Sequence, residues 1–231
     1  MTPQSVRGEP HECKHCGGPI RERIGYSYCS VACFNGLKRG NRNYERRPTI
    51  AVFGGSFNPI TLGHALVASW VKLTGEAHQV WFVPSLAHPF GKKSAPYEKR
   101  LAWCGDVAHA LGPWCKASDI ERSMYLNAPV GEGGEPIYTI DVLDRLATDH
   151  PKMTFRFVMG TDLLDDFESW KDWRRIRKDF DPITVPRTGE GAVAAGVSST
   201  LVRSQLAAGR NVKGLVPECI RLSVEEPADP V

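Results

Sequence analysis

The stretch with the clearest chemical potential is a glycine-rich segment that begins at Gly54 and Gly55 and ends at His64. Glycines let a backbone come close to a bound phosphate, because no side chain stands in the way. A helix that follows would turn its free N–H groups and partial positive charge towards the same phosphate. An imidazole at the start of that helix can donate an N–H to a phosphate oxygen. These residue types therefore predict phosphate binding, with His64 as one of the ligands.

The neighbouring sequence predicts the elements that position this turn. Residues 49–53 are short, apolar and partly β-branched, which predicts a buried strand. Residues 65–73 carry apolar side chains at helical spacing, which predicts a helix. The sequence thus predicts a strand, a tight turn and a helix. A plain βα turn without a ligand is the alternative, because short glycine motifs often occur by chance.

The full string from residue 54 to residue 64, GGSFNPITLGH, resembles the GGSFNPIHxGH signature of the nucleotidyltransferases that adenylylate nicotinate or nicotinamide mononucleotide. The resemblance implies catalytic roles for His64 and Thr61 and a mononucleotide contact for Asn58. It also implies ATP phosphate contacts from the residues of the turn, namely Gly54, Gly55, Ser56 and Phe57.

Thr61 departs from the bacterial signature, which has histidine at this position. Eukaryotic nicotinamide mononucleotide adenylyltransferases are more similar here, because their GSFNPIT string is also followed by a histidine. Pantetheine-phosphate adenylyltransferases share the threonine but have aspartate in place of Asn58. The departure leaves adenylyl transfer as the expected reaction and leaves the acceptor open.

Residues 137–143, IYTIDVL, resemble the family's SYTIDTL stretch, which lines the pyridine-nucleotide pocket. The resemblance implies that Tyr138 and Thr139 bind the mononucleotide. Without the family, Thr139 would be predicted as the N-cap of a helix.

The segment after the strand predicted at 154–159 resembles the family's GxDxL…W pattern. A carboxylate just past a parallel strand is well placed for ribose hydroxyls at the carboxyl edge of a sheet. The resemblance implies mononucleotide binding by Gly160 and Asp162 and stacking of Trp170 on the pyridine ring. Trp173 is expected to pack in a core.

Residues 197–203, VSSTLVR, match the family's ISSTxIR motif at nearly every position. Hydroxyls at a helix start bind phosphate through side chain and backbone together, and an arginine one turn later lies on the same face. The motif implies phosphate contacts from Ser199 and Thr200, and both phosphate binding and catalysis by Arg203. A capped surface helix without a ligand is the alternative.

The strand predicted at 79–83 precedes a loop that contains Lys92 and Lys93. In the resembling families this loop carries a basic residue that reaches the triphosphate, which implies the same role for Lys92 or its neighbour. A solvated lysine pair is the alternative. The sequence further predicts a helix over 97–111, a short strand over 116–120 and a strand over 182–187.

Composition and charge indicate a globular protein without a membrane-spanning segment. The hydrophobic content of 42% is ordinary for a globular protein, and no apolar run approaches the ~18 residues of a membrane span. The N-terminus lacks an apolar signal core, so we expect a cytoplasmic protein without a membrane partner. Residues 1–47 hold nine Lys/Arg and four Asp/Glu, so this segment carries the basic excess of a chain whose net charge is +3.

Four cysteines in the N-terminal segment follow the pattern C-x2-C-x12-C-x3-C, namely Cys13, Cys16, Cys29 and Cys33. Four thiolates suffice for a tetrahedral structural zinc site, and zinc would supply the folding energy that so short a segment lacks. The string resembles small zinc knuckles that are often appended to nucleic-acid enzymes. Unrelated cysteines in a disordered tail are the alternative.

Residues 38–47 are basic and polar apart from Tyr44, which predicts a solvated linker. A nucleic-acid contact through phosphate neutralisation and one stacking aromatic is the alternative. We therefore divide the chain into a zinc knuckle with a basic linker, residues 1–47, and a nucleotidyltransferase domain, residues 48–231. Alternating strands and helices in the larger part predict an α/β fold, a Rossmann-like doubly wound parallel sheet with ligands at its carboxyl edge.

The resemblance implies that ATP and nicotinate or nicotinamide mononucleotide react with Mg²⁺ to give the dinucleotide and pyrophosphate, a step of NAD biosynthesis or salvage. The residues expected at the pyridine ring include no lysine or arginine, so we expect both mononucleotides to react, with efficiencies within about 100-fold. A pantetheine-phosphate adenylyltransferase is one alternative. A zinc-dependent protein that binds nucleic acid or senses a nucleotide is another. The sequence leaves oligomerisation open.

Overall fold

A parallel β-sheet of five strands forms the centre of the computed structural model, which describes residues 47–86, 94–127, 136–187, 191–193 and 196–226. Its strands are β1 (Thr49–Gly55), β2 (Gln79–Pro84), β3 (Cys115–Ala117), β4 (Thr154–Gly160) and β5 (Ile183–Val185). The spatial order is β3-β2-β1-β4-β5, and every neighbouring pair is parallel. The predicted α/β fold with a doubly wound parallel sheet is confirmed.

The strand order reverses at β1. The chain first builds outward from β1 to β2 and β3, and it then returns to place β4 on the other side of β1. The connections after β1 and β4 therefore leave in opposite directions, which opens a crevice at the carboxyl ends of these two strands. The glycine turn follows β1 directly, so it lies at this crevice.

Seven α-helices within the described residues accompany the sheet. They are α1 (Leu62–Leu73), α2 (Tyr97–Leu111), α3 (Ile120–Leu126), α4 (Thr139–Asp149), α5 (Trp173–Asp179), α6 (Ser199–Ala207) and α7 (Glu218–Glu225). Two short 3₁₀ turns, Thr161–Leu163 and Phe167–Ser169, follow β4. None of these helices combines the length and the apolar character that a bilayer crossing needs.

Both faces of the sheet are buried, because the strand side chains alternate between two apolar cores. Ala51 of β1 packs in the core formed with α1, α2, α6 and α7, whereas Ile50 and Val52 pack in the core formed with α3, α4 and α5. This period of two within a continuous apolar run is typical of a parallel sheet covered on both sides.

Two local predictions are wrong. The N-cap of α4 is Tyr138 rather than Thr139, because Tyr138 keeps an extended backbone and its N–H donates to the Asp141 carboxylate at 3.1 Å. The strand predicted at 116–120 spans only Cys115–Ala117, because Ile120 already begins α3. Trp173 packs against the core beneath α5, as predicted.

Candidate active site

The glycine turn brings the backbone of β1 round to the N-terminus of α1. A Cβ on Gly55 would lie 3.3 Å from the Phe57 ring, so a larger residue would fit only if that ring moved by a few tenths of an ångström. Phe57 adopts a left-handed conformation with φ of 44° and is 1% exposed. A non-glycine residue held in this region is uncommon and marks a constrained turn. Phe57, predicted as a phosphate contact, therefore has only its backbone to offer a ligand.

Thr61 fixes the orientation and the tautomer of His64. The Thr61 backbone N–H donates to His64 Nδ1 at 2.9 Å, and Thr61 Oγ1 lies 2.9 Å from the same nitrogen. Because Nδ1 accepts this hydrogen bond, the ring proton of the neutral imidazole is on Nε2. Thr61 is itself 0% exposed, so its side chain contacts His64 and has no surface open to a ligand.

The environment keeps His64 neutral. Burial is the larger effect and the nearby Arg187 guanidinium the smaller one, and together they lower the pKa of His64 from 6.5 to about 4. The Phe53 and Phe57 rings pack against the imidazole with centroid distances of 5.8 and 5.1 Å. At neutral pH the side chain therefore offers an N–H donor at Nε2 without a positive charge.

A polar cavity of about 260 Å³ opens beside His64. Its lining combines hydroxyls with three guanidiniums, and it includes no Asp or Glu among the described residues: Ser56, Asn58, His64, Ser85, Ser94, Arg100, Arg187, Ser198, Ser199, Thr200 and Arg203. Arginine and hydroxyl donors without a competing carboxylate suit a highly charged anion such as a polyphosphate.

A smaller apolar cavity adjoins the polar one. Its walls come from the carboxyl ends of β1, β4 and β5 and from the first turns of α1: Phe53, Gly63, His64, Val67, Val158, Met159, Gly160, Val185, Arg187 and Val197. His64 and Arg187 border both cavities. The two spaces therefore form one continuous site, apolar at one end and cationic at the other.

Helix α6 is tied to the glycine turn by its first residues. Ser198 caps the helix by accepting the Leu201 N–H at 3.2 Å, and Ser199 Oγ donates to the Pro59 carbonyl at 2.8 Å. Arg203 Nη1 donates to the Asn58 carbonyl at 2.8 Å, and Nη2 donates to Thr200 Oγ1 at 3.2 Å. These bonds bring residues about 140 positions apart in the chain to the same cavity wall, as the two sequence motifs predict.

Two further arginines line the polar cavity without having been predicted. Arg187 follows β5, where its backbone N–H donates to Thr161 Oγ1 at 3.3 Å and its Nη1 lies 3.7 Å from Asp162 Oδ2. Arg100 lies in the first turn of α2 and is only 3% exposed. Sequence spacing carries no signal for either, because both reach the site through contacts distant in sequence.

The residues predicted to bind the mononucleotide divide into two groups. Gly160 lines the apolar cavity and Asp162 lies beside Arg187, so both are at the site. Tyr138, Thr139 and Trp170 are not among the residues that line the two cavities.

Trp170 and Tyr138 contact side chains that do not line either cavity. The Trp170 ring packs edge-on against Phe157 and Phe167 with centroid distances of 5.8 and 5.6 Å. Tyr138 is 44% exposed, and Lys171 Nζ lies 4.8 Å from the centroid of its ring. The same Lys171 forms an ion pair with Asp141 at 2.9 Å, so its charge is neutralised locally.

Metal ligands of the usual kinds are not clustered in the part of the chain that the structure describes, where no group of three or more His, Cys, Asp or Glu could hold an ion. The predicted zinc ligands Cys13, Cys16, Cys29 and Cys33 lie outside the described residues, and so does Lys92. The side-chain oxygens that the polar cavity offers to a metal ion belong to hydroxyl groups and to one amide.

The sequence model of the cytidylyltransferase-like family matches residues 52–205. A curated protein of Myxococcus xanthus named nicotinate-nucleotide adenylyltransferase is 37% identical over 174 residues, which cover 73% of this chain and 87% of that protein. A protein of the same name from Anaeromyxobacter dehalogenans strain 2CP-C is 36% identical over 184 residues, or 76% and 93% of the two chains.

Solved structures show the same fold at low sequence identity. A nicotinate-nucleotide adenylyltransferase structure from Vibrio parahaemolyticus superimposes with a TM-score of 0.60 at 20% identity, covering 78% of this chain and 99% of that one. A Plasmodium falciparum nicotinic acid mononucleotide adenylyltransferase complexed with NaAD gives a TM-score of 0.56 at 20% identity, with coverages of 73% and 88%.

Proposed function

We infer the reaction from the family: this chain belongs to the cytidylyltransferase-like family and is a nucleotidyltransferase of the nicotinate-nucleotide adenylyltransferase type. It transfers the adenylyl group of ATP to nicotinate or nicotinamide mononucleotide, and it releases pyrophosphate and the dinucleotide. This is a step of NAD biosynthesis. The observation that best supports the proposal is the continuous site, in which a cationic cavity adjoins an apolar one at His64.

The apolar and the cationic character of the two cavities match the two parts of ATP. A purine base suits the apolar cavity at the crevice between β1 and β4, where ligands of doubly wound sheets bind. The triphosphate suits the polar cavity with its three arginines. His64 and Arg187 border both spaces, so the α-phosphorus, which joins the two parts of the nucleotide, belongs between them.

The reaction is an in-line displacement at that phosphorus. A phosphate oxygen of the mononucleotide attacks it, a new P–O bond forms, and the bond to the bridging oxygen of pyrophosphate breaks. The nucleophile is already an anion, so the chain needs neither a general base nor a covalent intermediate. Catalysis comes from alignment of the reactants and from donors aimed at the oxygens on which charge develops.

His64 Nε2–H is the donor best placed for this work. Its proton is held in place by the hydrogen bonds from Thr61 to Nδ1, so donation needs no change of tautomer. Arg187 at the same junction and Arg203 on α6 stabilise the negative charge of the phosphate oxygens and of the leaving pyrophosphate.

Magnesium fits this site as a companion of the nucleotide. The cavity lacks a carboxylate cage among the described residues, whereas its hydroxyls, including Ser56 and Thr200, suit an ion that keeps waters and phosphate ligands. When bound, the ion neutralises the charge of the β- and γ-phosphates and makes pyrophosphate a better leaving group.

The acceptor ring is assigned to the neighbourhood of Trp170, Tyr138 and Thr139 by resemblance to the family. Lys171 beside Tyr138 is a cation that could favour the carboxylate of nicotinate mononucleotide, but Asp141 offsets its charge. Discrimination between the acid and the amide therefore stays moderate, and we expect efficiencies within about 100-fold.

Purified protein incubated with ATP, Mg²⁺ and each mononucleotide tests the function. Release of pyrophosphate together with the dinucleotide supports the proposal, and the ratio of kcat/KM for the two acceptors tests the expected range. A reaction with phosphopantetheine, and with neither pyridine mononucleotide, would contradict it. A ratio beyond a thousand would mean that a further group distinguishes the pyridine substituent.

The N-terminal segment has a separate role in this proposal. Cys13, Cys16, Cys29 and Cys33 bind one structural zinc ion, and residues 1–47 form a module apart from the nucleotidyltransferase domain of residues 48–231. Its basic residues suit a nucleic-acid partner, and the sequence is compatible with an oligomer. The substrates are metabolites of the cytoplasm, which is where we place the enzyme.

A further inference from the structure

We propose that Arg100 is a positioning residue for substrate phosphate. Its guanidinium fixes the backbone of three segments whose serines line the polar cavity. The proposal rests on the proposed function, because it takes the phosphates of ATP as the ligand of that cavity.

The hydrogen bonds of Arg100 all go to backbone carbonyls at the cavity wall. Nη1 donates to the Ser56 carbonyl at 2.8 Å, Nε donates to the Ala95 carbonyl at 3.0 Å, and Nη2 donates to the Leu86 carbonyl at 3.4 Å. One planar group thereby joins the glycine turn, the end of β2 and the start of α2. These segments are 44, 14 and 5 residues away in sequence.

Each of the three segments contributes a serine to the polar cavity. Ser56 is itself a partner of Arg100, Ser85 precedes Leu86, and Ser94 precedes Ala95. The partner carbonyl and the serine lie on the same residue or on adjacent residues. A hydrogen bond that holds the carbonyl therefore also holds the backbone from which the serine hydroxyl extends. Three hydroxyls around one cavity match the several oxygens of a polyphosphate.

Leu86 and Ala95 are held at both of their backbone groups. The Leu86 N–H donates to Glu121 Oε2 at 2.7 Å, and the Ala95 N–H donates to Asn58 Oδ1 at 3.1 Å. The Arg100 guanidinium donates to both carbonyls. Asn58 belongs to the glycine turn, so this second set of bonds fastens the start of α2 to the same turn that Arg100 contacts.

Arg100 differs from an arginine whose buried charge is paired with carboxylates. Burial of a guanidinium is costly, and Arg100 forms no ion pair within the part of the chain that the structure describes. Arg156, the other arginine buried to a similar degree, is paired with Glu76 at 2.7 Å and Asp181 at 3.0 Å. The hydrogen bonds of Arg100 go to neutral carbonyls, and the carboxylates of Glu121 and Glu98 act on its charge only through space.

A double-mutant cycle tests whether Arg100 acts through the serines. Arg100→Lys keeps the charge but loses the planar fork that spans three carbonyls, so positioning fails while the cation stays. We expect R100K to lower kcat/KM for ATP about 10- to 100-fold in the otherwise native chain. In a Ser85→Ala/Ser94→Ala background the same change should lower kcat/KM only about two- to fivefold, because two of the three hydroxyls that Arg100 positions are gone.

Binding of inorganic pyrophosphate, measured by calorimetry, gives a readout that does not depend on the reaction. The serine double variant should bind pyrophosphate several-fold more weakly than the native protein. Ser85 is partly exposed and Ser94 is exposed, so we expect the double variant to fold, and its pyrophosphate binding can be measured even if R100K does not fold. Unchanged pyrophosphate binding by the serine variant would overturn the proposal.

Arg156→Lys is the matched control, because it perturbs an equally buried arginine at the other end of the sheet. It should lower thermal stability and leave the KM for ATP within twofold. Equal effects of R100K in both serine backgrounds, or kinetics of R100K like those of the native enzyme, would overturn the positioning role. If the native protein binds pyrophosphate but transfers no adenylyl group to any acceptor, the proposed function fails, and pyrophosphate binding by R100K with and without the two serine substitutions then tests Arg100.

Discussion

At the scale of single residues, Thr61 and His64 work as one unit. The departure from the bacterial signature puts a threonine where a second histidine would stand, and in the structure this threonine fixes the ring of His64. An imidazole whose ring and proton are held in place is a better donor to a phosphate than an imidazole that is free to rotate, because no reorganisation is needed when charge develops.

We expect His64→Ala to lower kcat by roughly 10²–10³-fold with a smaller change in the KM for ATP, since the donor matters most in the transition state. Steady-state kinetics of the variant and of His109→Ala, which alters an exposed histidine of α2, give the comparison. Retention of more than half of the native turnover at unchanged thermal stability would remove His64 from the mechanism.

Two buried groups make opposite contributions to stability in the same pH range. The pKa of His64 is lowered to about 4, so the unfolded chain binds a proton that the folded chain does not, and acidification below 6.5 destabilises the fold. The pKa of Glu121 is raised to about 7, mainly by burial, so a rise in pH from 4.5 to 7 destabilises it. In the native chain the two effects largely cancel.

In the Glu121→Gln variant, the effect of His64 on the pH dependence of stability should therefore no longer be cancelled. The variant's free energy of unfolding should fall by about 2.5 kcal/mol between pH 6.5 and pH 4, because over this range the unfolded chain takes up the proton that folded His64, with its pKa lowered to about 4, mostly does not bind. Urea unfolding at several pH values measures it, and a His64→Asn/Glu121→Gln variant corrects for all other groups. A slope that does not differ between these two variants would mean that His64 titrates normally in the folded protein.

At the scale of elements, helix α6 and the glycine turn depend on each other. Arg203 reaches across to the Asn58 carbonyl while Ser199 bonds to Pro59, so the phosphate ligands of one motif are aligned by the backbone of the other. The turn and the helix start thereby form a single binding surface, although each motif alone would be compatible with a simple cap.

Arg203→Lys should raise the KM for ATP about tenfold, because a lysine cannot bond to both Asn58 and Thr200 while facing a phosphate. Arg210→Lys, at an exposed position just past the same helix, should leave the KM unchanged and serves as the control. Equal KM values for all three proteins would exclude a phosphate contact by this guanidinium.

The sequence predicts an element well where the signal is local, and poorly where it depends on contacts between distant segments. β1, the glycine turn and α1 follow from an apolar run, two glycines and helical spacing within 25 residues. Arg100 escapes prediction because a charged residue in YEKR is typical of a solvated helix face, and only the carbonyl of Ser56, 44 residues away, shows otherwise. The N-cap prediction for Thr139 is wrong because Asp141 caps from inside the helix.

At the scale of the whole molecule, the reversal of strand order at β1 places the site. Every motif that the sequence shares with the family within the described residues follows a strand or begins a helix at the carboxyl edge of the sheet. The N-terminal cysteines precede β1 in the sequence and lie outside the described residues.

We expect deletion of residues 1–46 to remove about one equivalent of zinc per chain and to leave adenylyl transfer largely intact. Metal analysis of both proteins, together with kcat and KM for ATP, provides the measurement. A Cys13→Ser/Cys16→Ser variant of the full chain controls for the loss of the basic linker. A shortened protein that is folded but inactive would show that the module contributes to the active site.

The contrast between Arg156 and Arg100 bears on the energetics of the whole fold. At one end of the sheet the buried cation of Arg156 is flanked by two carboxylates. At the other end the polar cavity is lined by three guanidiniums, of which Arg187 lies 3.7 Å from the Asp162 carboxylate. A polyanion that binds in this cavity stabilises the fold, because it binds the folded chain in preference to the unfolded one. Pyrophosphate, a product of the reaction, should therefore also stabilise the folded protein. A concentration a hundred times its dissociation constant would raise the free energy of unfolding by about 2.7 kcal/mol. We expect a higher melting temperature, and added salt should diminish the increase.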